Sequence, residues 1–499
     1  MNRRVSSSQR YNFIVHFGFC GVRPQPRLIT RLLSWFGFTF LCSWLLLRFH
    51  NKPASAAHDS YAVTPLPPPL DLWQFFKSLD RTGASQVNFI GASVFGLPSS
   101  PPKSILSAYP SLKNFESQLA ALVQAYPHLA QLYKIGETTS WRQPLWGIRI
   151  SDHPDRDEDE PAVLFTGVHH AREPLGALIC QEILRELLEN YGSSASHTRL
   201  VDSLEIWLVP FVNPEGYDYI MQNRLDFPWW RKNLRDNNGD GVFDPLVDGV
   251  DLNRNYDFNW DEGGDGNPAS WFYRGNTPFS EKEIQAVRDL AWRENFVVGV
   301  GYHSYGESVL YPWGNYHRAP DQELIIDIAQ RCAAQIGRLS GHEAYSVLPL
   351  NGRVGQSSIW MYGELGTMDY IIETGEAYFA ATEDIPRITR ENVQGALYLM
   401  QRTLGSGVTG HVRDHQTGKP LIAEIHVSGC EASYIKCRRT EATYGRFDRL
   451  LAAGNYTLEI RAPGYKSEIL PAVPIYPERM TTLEITLARQ AMPMLPSTN

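Results

Sequence analysis

Apolar positions follow two different rhythms along the middle of the chain. In "LKNFESQLAALVQAYPHL", just after Tyr109, they recur at helical spacing, whereas "AVLFTGV" and "FVVGVGY" are continuous apolar runs typical of buried strands. The segment "LYKIGETTSWRQPLWGIRIS" predicts a strand, a polar turn and a strand. Further on, the strands "AVLFTGV", "LEIWLVPFV", "FVVGVGY" and "MDYIIE" alternate with helices that end near Asn190, begin near Ser280 and run from about Gln322 to Gly341. This alternation predicts an α/β fold, a mixed sheet sandwiched by helices.

The pattern changes after about Leu404. Short strands separated by turns follow one another in "VTGHVRD", "AEIHVSG", "RFDRLL", "NYTLEIRAPGY" and "TTLEITL", without helical periodicity. Such a succession is typical of a small all-β sandwich. We therefore predict an α/β domain at 105–404, a β-sandwich domain at 405–490 and a tail at 491–499.

The first hundred residues have a composition of their own. Several arginines occur before the first acidic residue of the chain. The apolar run from Leu32 to Leu47 is short for a membrane span but suits the hydrophobic core of a signal peptide. Ala54-Ser55-Ala56 then offers a small-x-small cleavage site. We predict export, with residues 1–56 as a signal peptide and a mature start near Ala57; an uncleaved membrane anchor is the alternative. The Pro- and Ser-rich stretch 57–104 predicts a linker or N-terminal extension.

Composition and cysteines narrow the class of protein. At 499 residues the chain is long enough for at least two domains, and its net charge of −8, without a basic stripe, argues against nucleic acid as a partner. Cys180 and Cys332 lie in apolar helical segments, as buried free thiols often do. Cys430 and Cys437 are close together in the β-rich region, where an oxidising compartment could bridge them. A bridge and two free thiols are both open at this stage.

Side chains that bind metals follow the predicted strands. His170 and Glu173 lie in "GVHHARE" after one strand, His303 follows another, and Glu373 ends "MDYIIE". Ligands of open α/β sheets bind beyond the carboxyl ends of the strands, so these groups are expected to converge. Two imidazoles and one carboxylate form the three-ligand set of a catalytic zinc with an open position for water. Zinc lowers the pKa of such a water toward ~7 and polarises a carbonyl, and a carboxylate that is not a ligand can act as general base.

Taken singly, each of these residues has an ordinary structural explanation. A His-x-x-Glu spacing arises by chance, a lone His303 is more often a satisfied buried histidine, and Glu373 could cap a strand end. Their joint occurrence, in order and at strand ends, favours a metallohydrolase.

Several motifs of this region are specific in combination: "HHARE", "WWRKN", "GVDLNRNYDFNW", "YRGNTPFSEKE", "GYHSYGESVLYPWG" and "YIIETGE". With them, the chain from roughly Tyr109 to Leu404 resembles the zinc carboxypeptidases of the carboxypeptidase A and T type. The resemblance implies one Zn²⁺ per chain, a metallocarboxypeptidase activity that removes the C-terminal residue of peptides through a zinc-activated water, and Glu373 as general base. The implied zinc ligands are His170, Glu173 and His303, with His169 as a neighbour of the site.

The resemblance also implies roles toward the substrate. Arg231 would polarise the scissile carbonyl, and Asn253 with Arg254 would hold the free C-terminal carboxylate, a group that the planar guanidinium of arginine binds in a bidentate manner. Arg172 and Tyr305 match further substrate-side residues. Ser358 falls near the base of the pocket for the C-terminal side chain. The family's mobile tyrosine has no counterpart within "LPLNGRVGQSS".

Two further segments carry weaker signals. The region "GVTGHVRDHQTGKPL" with "YGRFDRLLAAGNYTLEIRAPGY" resembles the transthyretin-like accessory module of some carboxypeptidases. "DNNGDGVFD" has the spacing of the start of a calcium loop, which makes Ca²⁺ a possible ligand, but a solvated acidic turn is at least as good an interpretation. The possible calcium ligands are Asp236, Asn238, Asp240 and Asp244.

Three functions are compatible with these patterns. The first is an exported zinc carboxypeptidase whose partner is a peptide or protein with a free C-terminus. The second is a zinc amidase acting on cell-wall peptides, and the third is a non-catalytic peptide-binding homologue. The "LNRN" pair favours the first, because it matches a carboxylate-binding pair, and the presence of Glu373 and all three ligands disfavours the third.

Overall fold

The computed structural model describes residues 107–222, 229–313, 318–341, 343–350 and 355–490. The predictions for the signal peptide or anchor at 1–56, the stretch at 57–104 and the tail at 491–499 fall outside these ranges. Within the described ranges, every helix is too short or too polar to cross a membrane.

A mixed eight-stranded sheet forms the body of the chain. Its spatial order is β1-β2-β4-β3-β5-β8-β6-β7, with parallel pairing from β4 through β3 and β5 to β8 and antiparallel pairs on both sides. Helices flank the sheet, so the predicted fold class is confirmed. The strands are β1 (Ala130–Glu137), β2 (Pro144–Ile150), β3 (Ala162–Thr166), β4 (Glu205–Val209), β5 (Val298–His303), β6 (Ser308–Tyr311), β7 (Ser346–Pro349) and β8 (Met368–Glu373).

Apolar side chains on the sheet enter two clusters. The larger includes the helix Leu175–Asn190, and the smaller includes the helix Lys282–Glu294. All residues of β3 and β5 are buried, as their unbroken apolar runs predict. The α-helices are Leu112–Ala125, Leu175–Asn190, Ala195–Val201, Pro214–Gln222, Lys282–Glu294, Gln322–Ala333, Ser357–Trp360 and Ile385–Thr403.

One predicted helix is shorter than expected. The helix that begins at Gln322 ends at Ala333 and does not continue to Gly341. Beyond it, the backbone of Gly337 forms an antiparallel bridge with Ala344, so this stretch pairs with the segment before β7.

Two smaller sheets follow the last helix and enclose an apolar core of their own. One has the order β11-β10-β13-β14 and the other β12-β9-β15. This β-rich region is consistent with a small β domain. The strands are β9 (Gly407–Asp414), β10 (Glu424–Val427), β11 (Arg438–Arg439), β12 (Arg446–Leu450), β13 (Gly454–Arg461), β14 (Glu468–Ile475) and β15 (Met480–Leu487).

A buried arginine joins the C-terminal sheets to the α/β body. Arg438 of β11 donates from Nη1 to the carbonyl oxygens of Phe296 and Leu365, at 2.8 and 3.1 Å, and from Nη2 to that of Asn295 at 2.6 Å. Burial lowers the pKa of Arg438 to about 10, which still leaves it charged at neutral pH. The guanidinium therefore satisfies three main-chain acceptors of the α/β body at once.

Candidate metal centre and surrounding cavity

The sheet places the predicted metal-binding side chains at one edge. His303 and Glu373 end the neighbouring parallel strands β5 and β8 and are register partners. On the other side of β5, the loop after β3 is compressed at Gly167, where a Cβ atom would lie 2.6 Å from the carbonyl carbon of Gly176 and 2.7 Å from the oxygen of Pro210. Only glycine fits this turn, so the following His170 and Glu173 are held against β5.

Three donor atoms converge on one point. Glu173 Oε2 lies 2.8 Å from His170 Nδ1 and 2.9 Å from His303 Nδ1, and the two Nδ1 atoms are 3.0 Å apart. All three side chains are buried. Burial opposes the ionisation of Glu173, but the two histidines outweigh it and hold its pKa well below the ordinary value. Two imidazole nitrogens and a carboxylate oxygen within about 3 Å of one another form a donor set that zinc binds in proteins.

A second layer orients these donors. Asp251 Oδ1 lies 3.2 Å from His170 Nε2, and Asp251 Oδ2 accepts from Arg231 Nε at 2.9 Å. A carboxylate on the outer nitrogen of a metal-binding histidine fixes the orientation of the ring. Asp251 was not among the predicted site residues, although it stands two positions before Asn253 in "GVDLNRN". The motif contains Asp251, but only the folded loop shows that its carboxylate contacts His170 and Arg231.

Arg231 is held in the charged form beside the cluster. Its Nη1 lies 3.1 Å from His170 Nδ1 and 3.5 Å from Glu173 Oε1. Burial opposes the charge, but Asp251 and Glu173 outweigh this effect and raise the pKa of Arg231. A fixed cationic donor is thus present at the mouth of the donor cluster.

The donor cluster opens into a cavity of about 730 Å³. Arg172 lies over the ring of Tyr378, with its guanidinium carbon 4.2 Å from the ring centroid, and Tyr305 meets the same ring edge-on at 4.9 Å. Arg254 lies 5.6 Å from the ring centroid of Phe272. The predicted site residues that line this cavity are His170, Arg172, Glu173, Arg231, Asn253, Arg254, His303, Tyr305 and Glu373.

Three guanidinium groups therefore surround one cavity. Such a set gives the cavity an affinity for carboxylates, because each guanidinium offers several N–H donors in a planar fork. Asn253 is more deeply buried than these arginines. Its Oδ1 accepts from the backbone N–H of Ser357 at 2.9 Å, and its Nδ2 lies 3.1 Å from His303 Nε2.

Ser358 and His169 both lie outside the donor cluster, but only Ser358 has other surroundings than expected. Ser358 is fully buried and donates to Asp369 Oδ1 at 2.6 Å, and it is not among the described residues that line the cavity. His169 turns away from the donor cluster, with Nε2 2.9 Å from the hydroxyl of Tyr256. The role of His169 as a neighbour is thus consistent with its position, and a pocket role for Ser358 stays a prediction.

The possible calcium loop has its carboxylates engaged with its own backbone. Asp236 accepts from the N–H groups of Gly239 and Gly241, Asp240 from that of Val242, and Asp244 from that of Leu246. Among the described residues, the donor atoms of three such aspartates do not converge as those of the zinc cluster do. This is the pattern of an acidic turn, and calcium at Asn238 and its neighbours stays a prediction.

The cysteines of the β-rich region are not bridged. Cys430 packs against the apolar core of the C-terminal sheets, whereas Cys437 contacts polar side chains. The alternative of a disulfide between them is therefore not realised in this structure, because the two thiols face different surroundings.

A comparison with known families shows which family this fold belongs to. The peptidase M14 model, described as zinc carboxypeptidase, matches residues 115–395. The chain belongs to the zinc carboxypeptidase family. Membership implies Zn²⁺ as cofactor, and His170, Glu173 and His303 supply a matching set of converging donors.

Individual relatives match about half of the chain. Carboxypeptidase A4 of Mus musculus is 30% identical over 276 residues, which cover 54% of this chain and 61% of the mouse protein. An inactive metallocarboxypeptidase of Talaromyces stipitatus is 31% identical over 238 residues, 45% of this chain and 38% of the fungal protein. The matches thus span less than two thirds of these relatives.

Solved structures show the same fold. Carboxypeptidase A from Helicoverpa armigera superposes with a TM-score of 0.53 at 20% identity, over 66% of this chain and 85% of that one. At this identity the likeness establishes the fold and nothing finer.

Proposed function

We propose that this chain is an active zinc carboxypeptidase that hydrolyses the last peptide bond of peptides with a free C-terminus. The observation that carries the proposal is one cavity that combines the three-donor cluster with Glu373, Arg231 and Arg254. A metal site, a separate carboxylate and fixed cations are the parts that this hydrolysis requires.

The metal would be held by His170, Glu173 and His303. The fit rests on their buried, converging nitrogen and oxygen atoms and on Asp251 behind His170. When bound, zinc supplies a Lewis acid that polarises the scissile carbonyl and makes water more acidic.

Glu373 is the proton carrier in this proposal. It ends β8 at the register position of His303 and lines the cavity, so its carboxylate faces the space where a scissile bond would lie. As general base it takes a proton from the attacking water, and it then delivers that proton to the nitrogen of the leaving amino acid. The new C–O bond forms as the water adds to the carbonyl carbon, the C–N bond breaks once the leaving nitrogen is protonated, and both products leave without a redox change.

Two arginines stabilise different charges of the substrate. Arg231 is positioned by Asp251 and directs its donors toward the developing oxyanion of the scissile carbonyl. Arg254 binds the terminal carboxylate, together with Asn253, so that only the last peptide bond is placed at the metal centre. Arg172 and Tyr305 would contact the substrate further along the cavity.

A non-catalytic role is the second candidate, since the family includes the inactive fungal relative. The two are separated by a panel of matched peptides with free or amidated C-termini, assayed with the zinc-loaded wild type and with Glu373→Gln as control. We expect release of the last residue from free peptides, poor cleavage of amidated ones and little turnover by Glu373→Gln. Equal cleavage of both peptide types would favour the amidase or an endopeptidase. Binding without cleavage by the wild type would favour the non-catalytic role.

The proposal includes export. The basic, then apolar leader and the Ala54-Ser55-Ala56 site support it. N-terminal sequencing of the protein from its native source is expected to begin near Ala57. An intact Met1 on a cytosolic protein would contradict export, and an intact leader in the membrane fraction would favour the anchor.

The C-terminal sheets are proposed to be a transthyretin-like accessory domain. Their two small antiparallel-rich sheets around one core support this, as do the quoted sequence motifs. The domain contributes no residue to the lining of the cavity among those described.

A further inference from the structure

A second cluster of metal-binding side chains lies in the C-terminal sheets. Glu424 pairs with Arg439 and Ile425 with Arg438, and this register, continued by one position beyond the start of β11, brings His426 opposite Cys437. Side chains of such a pair project to the same face, with Cβ atoms roughly 4.5–5.5 Å apart. Ile425 and Val427 point into the core, so His426 lies on the outer face with Cys437.

The connection between the two strands supplies a third donor. Glu431 returns toward the strands, and its Oε2 lies 3.0 Å from Cys437 Sγ and 4.0 Å from His426 Nδ1. Cys437 Sγ is 3.1 Å from His426 Nδ1. With Zn–S near ~2.3 Å and Zn–N or Zn–O near ~2.1 Å, ligand atoms around tetrahedral zinc are separated by roughly 3.3–3.7 Å. The two separations from Cys437 Sγ lie just below this range, and the 4.0 Å between Glu431 Oε2 and His426 Nδ1 lies just above it.

Neighbouring groups orient two of these donors. Glu424 Oε2 lies 3.3 Å from His426 Nε2, so a carboxylate holds the outer nitrogen of the ring and leaves Nδ1 directed at the cluster. The other oxygen of Glu431 accepts from the backbone N–H of Val427 at 2.8 Å and from Arg449 at 3.2 Å. This leaves Oε2 available to face Cys437. The catalytic cluster shows the same relation between His170 and Asp251.

We propose that His426, Glu431 and Cys437 form a second zinc site, distinct from the catalytic one. Imidazole, carboxylate and thiolate are all zinc ligands, and the thiolate selects against calcium and magnesium. The three side chains are half-buried, so a water molecule can take the fourth position. On binding, the thiol proton that Cys437 donates to Glu431 is released to solvent and the cation takes its place.

The location indicates a structural role. The connection that this site would close carries contacts to the α/β body, because the hydroxyl of Tyr434 donates to the carbonyl of Arg318 and the N–H of Lys436 to that of Gly363. Arg438, which caps three carbonyls, directly follows Cys437. A cation bound by His426 and Cys437 would fix both ends of the connection between β10 and β11 and so stabilise its contacts with the α/β body.

The test uses full-length protein, purified reduced and without chelator. Elemental analysis is expected to find two zinc ions per chain in the wild type and one in Cys437→Ser and in His426→Ala. Cys430→Ser is the matched control and should keep two. Cobalt substitution gives an independent readout: a thiolate-to-cobalt charge-transfer band must come from Cys437, since the catalytic cluster contains no sulfur.

The outcomes separate the proposal from its rivals. Loss of the band in Cys437→Ser but not in Cys430→Ser, with one zinc retained, supports the site and shows that the variant has folded. One zinc per chain in the wild type, or an unchanged band in Cys437→Ser, overturns it. A Cys430–Cys437 disulfide found by mass spectrometry in protein from its native source also overturns it. Because metal content is measured, an inactive protein would contradict the proposed peptidase function and leave this test intact.

Discussion

Two of the three-donor clusters among the described residues, the catalytic one and the one in the C-terminal sheets, have different surroundings. His170, Glu173 and His303 are buried at the edge of the large sheet and share a cavity with a further carboxylate, Glu373, and three arginines. His426, Glu431 and Cys437 are half-buried on a short strand and the connection that follows it, and none of the three lines the cavity of the first cluster. The donors alone give metal affinity. The cavity, the additional carboxylate and the fixed cations are what make one of the clusters suitable for hydrolysis.

The largest effect is expected from His303→Ala. Loss of one imidazole should remove the catalytic zinc and reduce peptidase activity to background, because two remaining donors bind weakly. Zinc content should fall by one per chain, while the cobalt–thiolate band stays. The mirrored variant His426→Ala should also lose one zinc but keep its activity. Undiminished zinc in His303→Ala would remove this histidine from the ligand set.

The variant Glu373→Gln tests the proton-transfer step independently of zinc binding. The amide keeps the size of the side chain but cannot accept a proton from water. We expect unchanged zinc content and a kcat lowered by about 10²-fold or more, the usual contribution of a general base. Activity close to that of the wild type, measured on the same peptide, would exclude Glu373 from this role.

Arg254→Ala tests what makes the cavity an exopeptidase site. Loss of a charged hydrogen bond to the substrate carboxylate should lower kcat/KM on free peptides by about 10- to 100-fold. The zinc content should stay the same. The preference for free over amidated peptides should shrink by a similar factor, and a preference that persists undiminished would assign carboxylate recognition to another residue.

The smallest effect concerns the contact between the two regions. His411 of β9 lies between Asp159, at 2.8 Å, and Glu484, at 3.0 Å, while Arg446 approaches the same Asp159 at 3.4 Å. Burial lowers the pKa of His411, but its hydrogen bonds to Asp159 and Glu484 outweigh this and raise it. Its stabilisation is therefore complete below the unfolded pKa of about 6.5 and is lost as the pH rises through the higher folded value.

The measurement is thermal unfolding of the wild type and of His411→Asn across this range. For a partly exposed pair the contribution is on the order of 0.2–1 kcal/mol. The wild type should have the higher Tm at about pH 6, and the difference should close by about pH 9. A difference independent of pH would assign the effect to packing.

The sequence was most informative where one physical signal dominated. The central strands could be predicted because they are buried on both faces and read as unbroken apolar runs, and the donors could be predicted because they follow such strands. The strands β6 and β7, the last two at one side of the sheet, are four residues each and carry too little pattern. The helix Ile385–Thr403 was not predicted, although its buried positions recur at helical spacing.

The direction of individual side chains was the second feature that the sequence could not predict. Ser358 lies in a four-residue helix, and its hydroxyl turns to the buried Asp369, which the spacing of residues could not reveal. Asp251 comes from an irregular loop, so its contact with both His170 and Arg231 depends on how that loop crosses the strand ends. Contacts that depend on the path of a loop can be identified only in the folded chain.

Arg438 has a practical consequence for anyone who wishes to trim the protein. A chain cut after Leu404 would retain every residue of the cavity but would lose the donor to the carbonyls of Asn295, Phe296 and Leu365. Water would replace this donor once the sheets are removed, so each lost hydrogen bond is expected to cost about 0.5–1.5 kcal/mol, and the three together are a sizeable share of a typical folding free energy. Shortened versions intended for expression or redesign should therefore keep the C-terminal sheets, or provide new donors for these three oxygens.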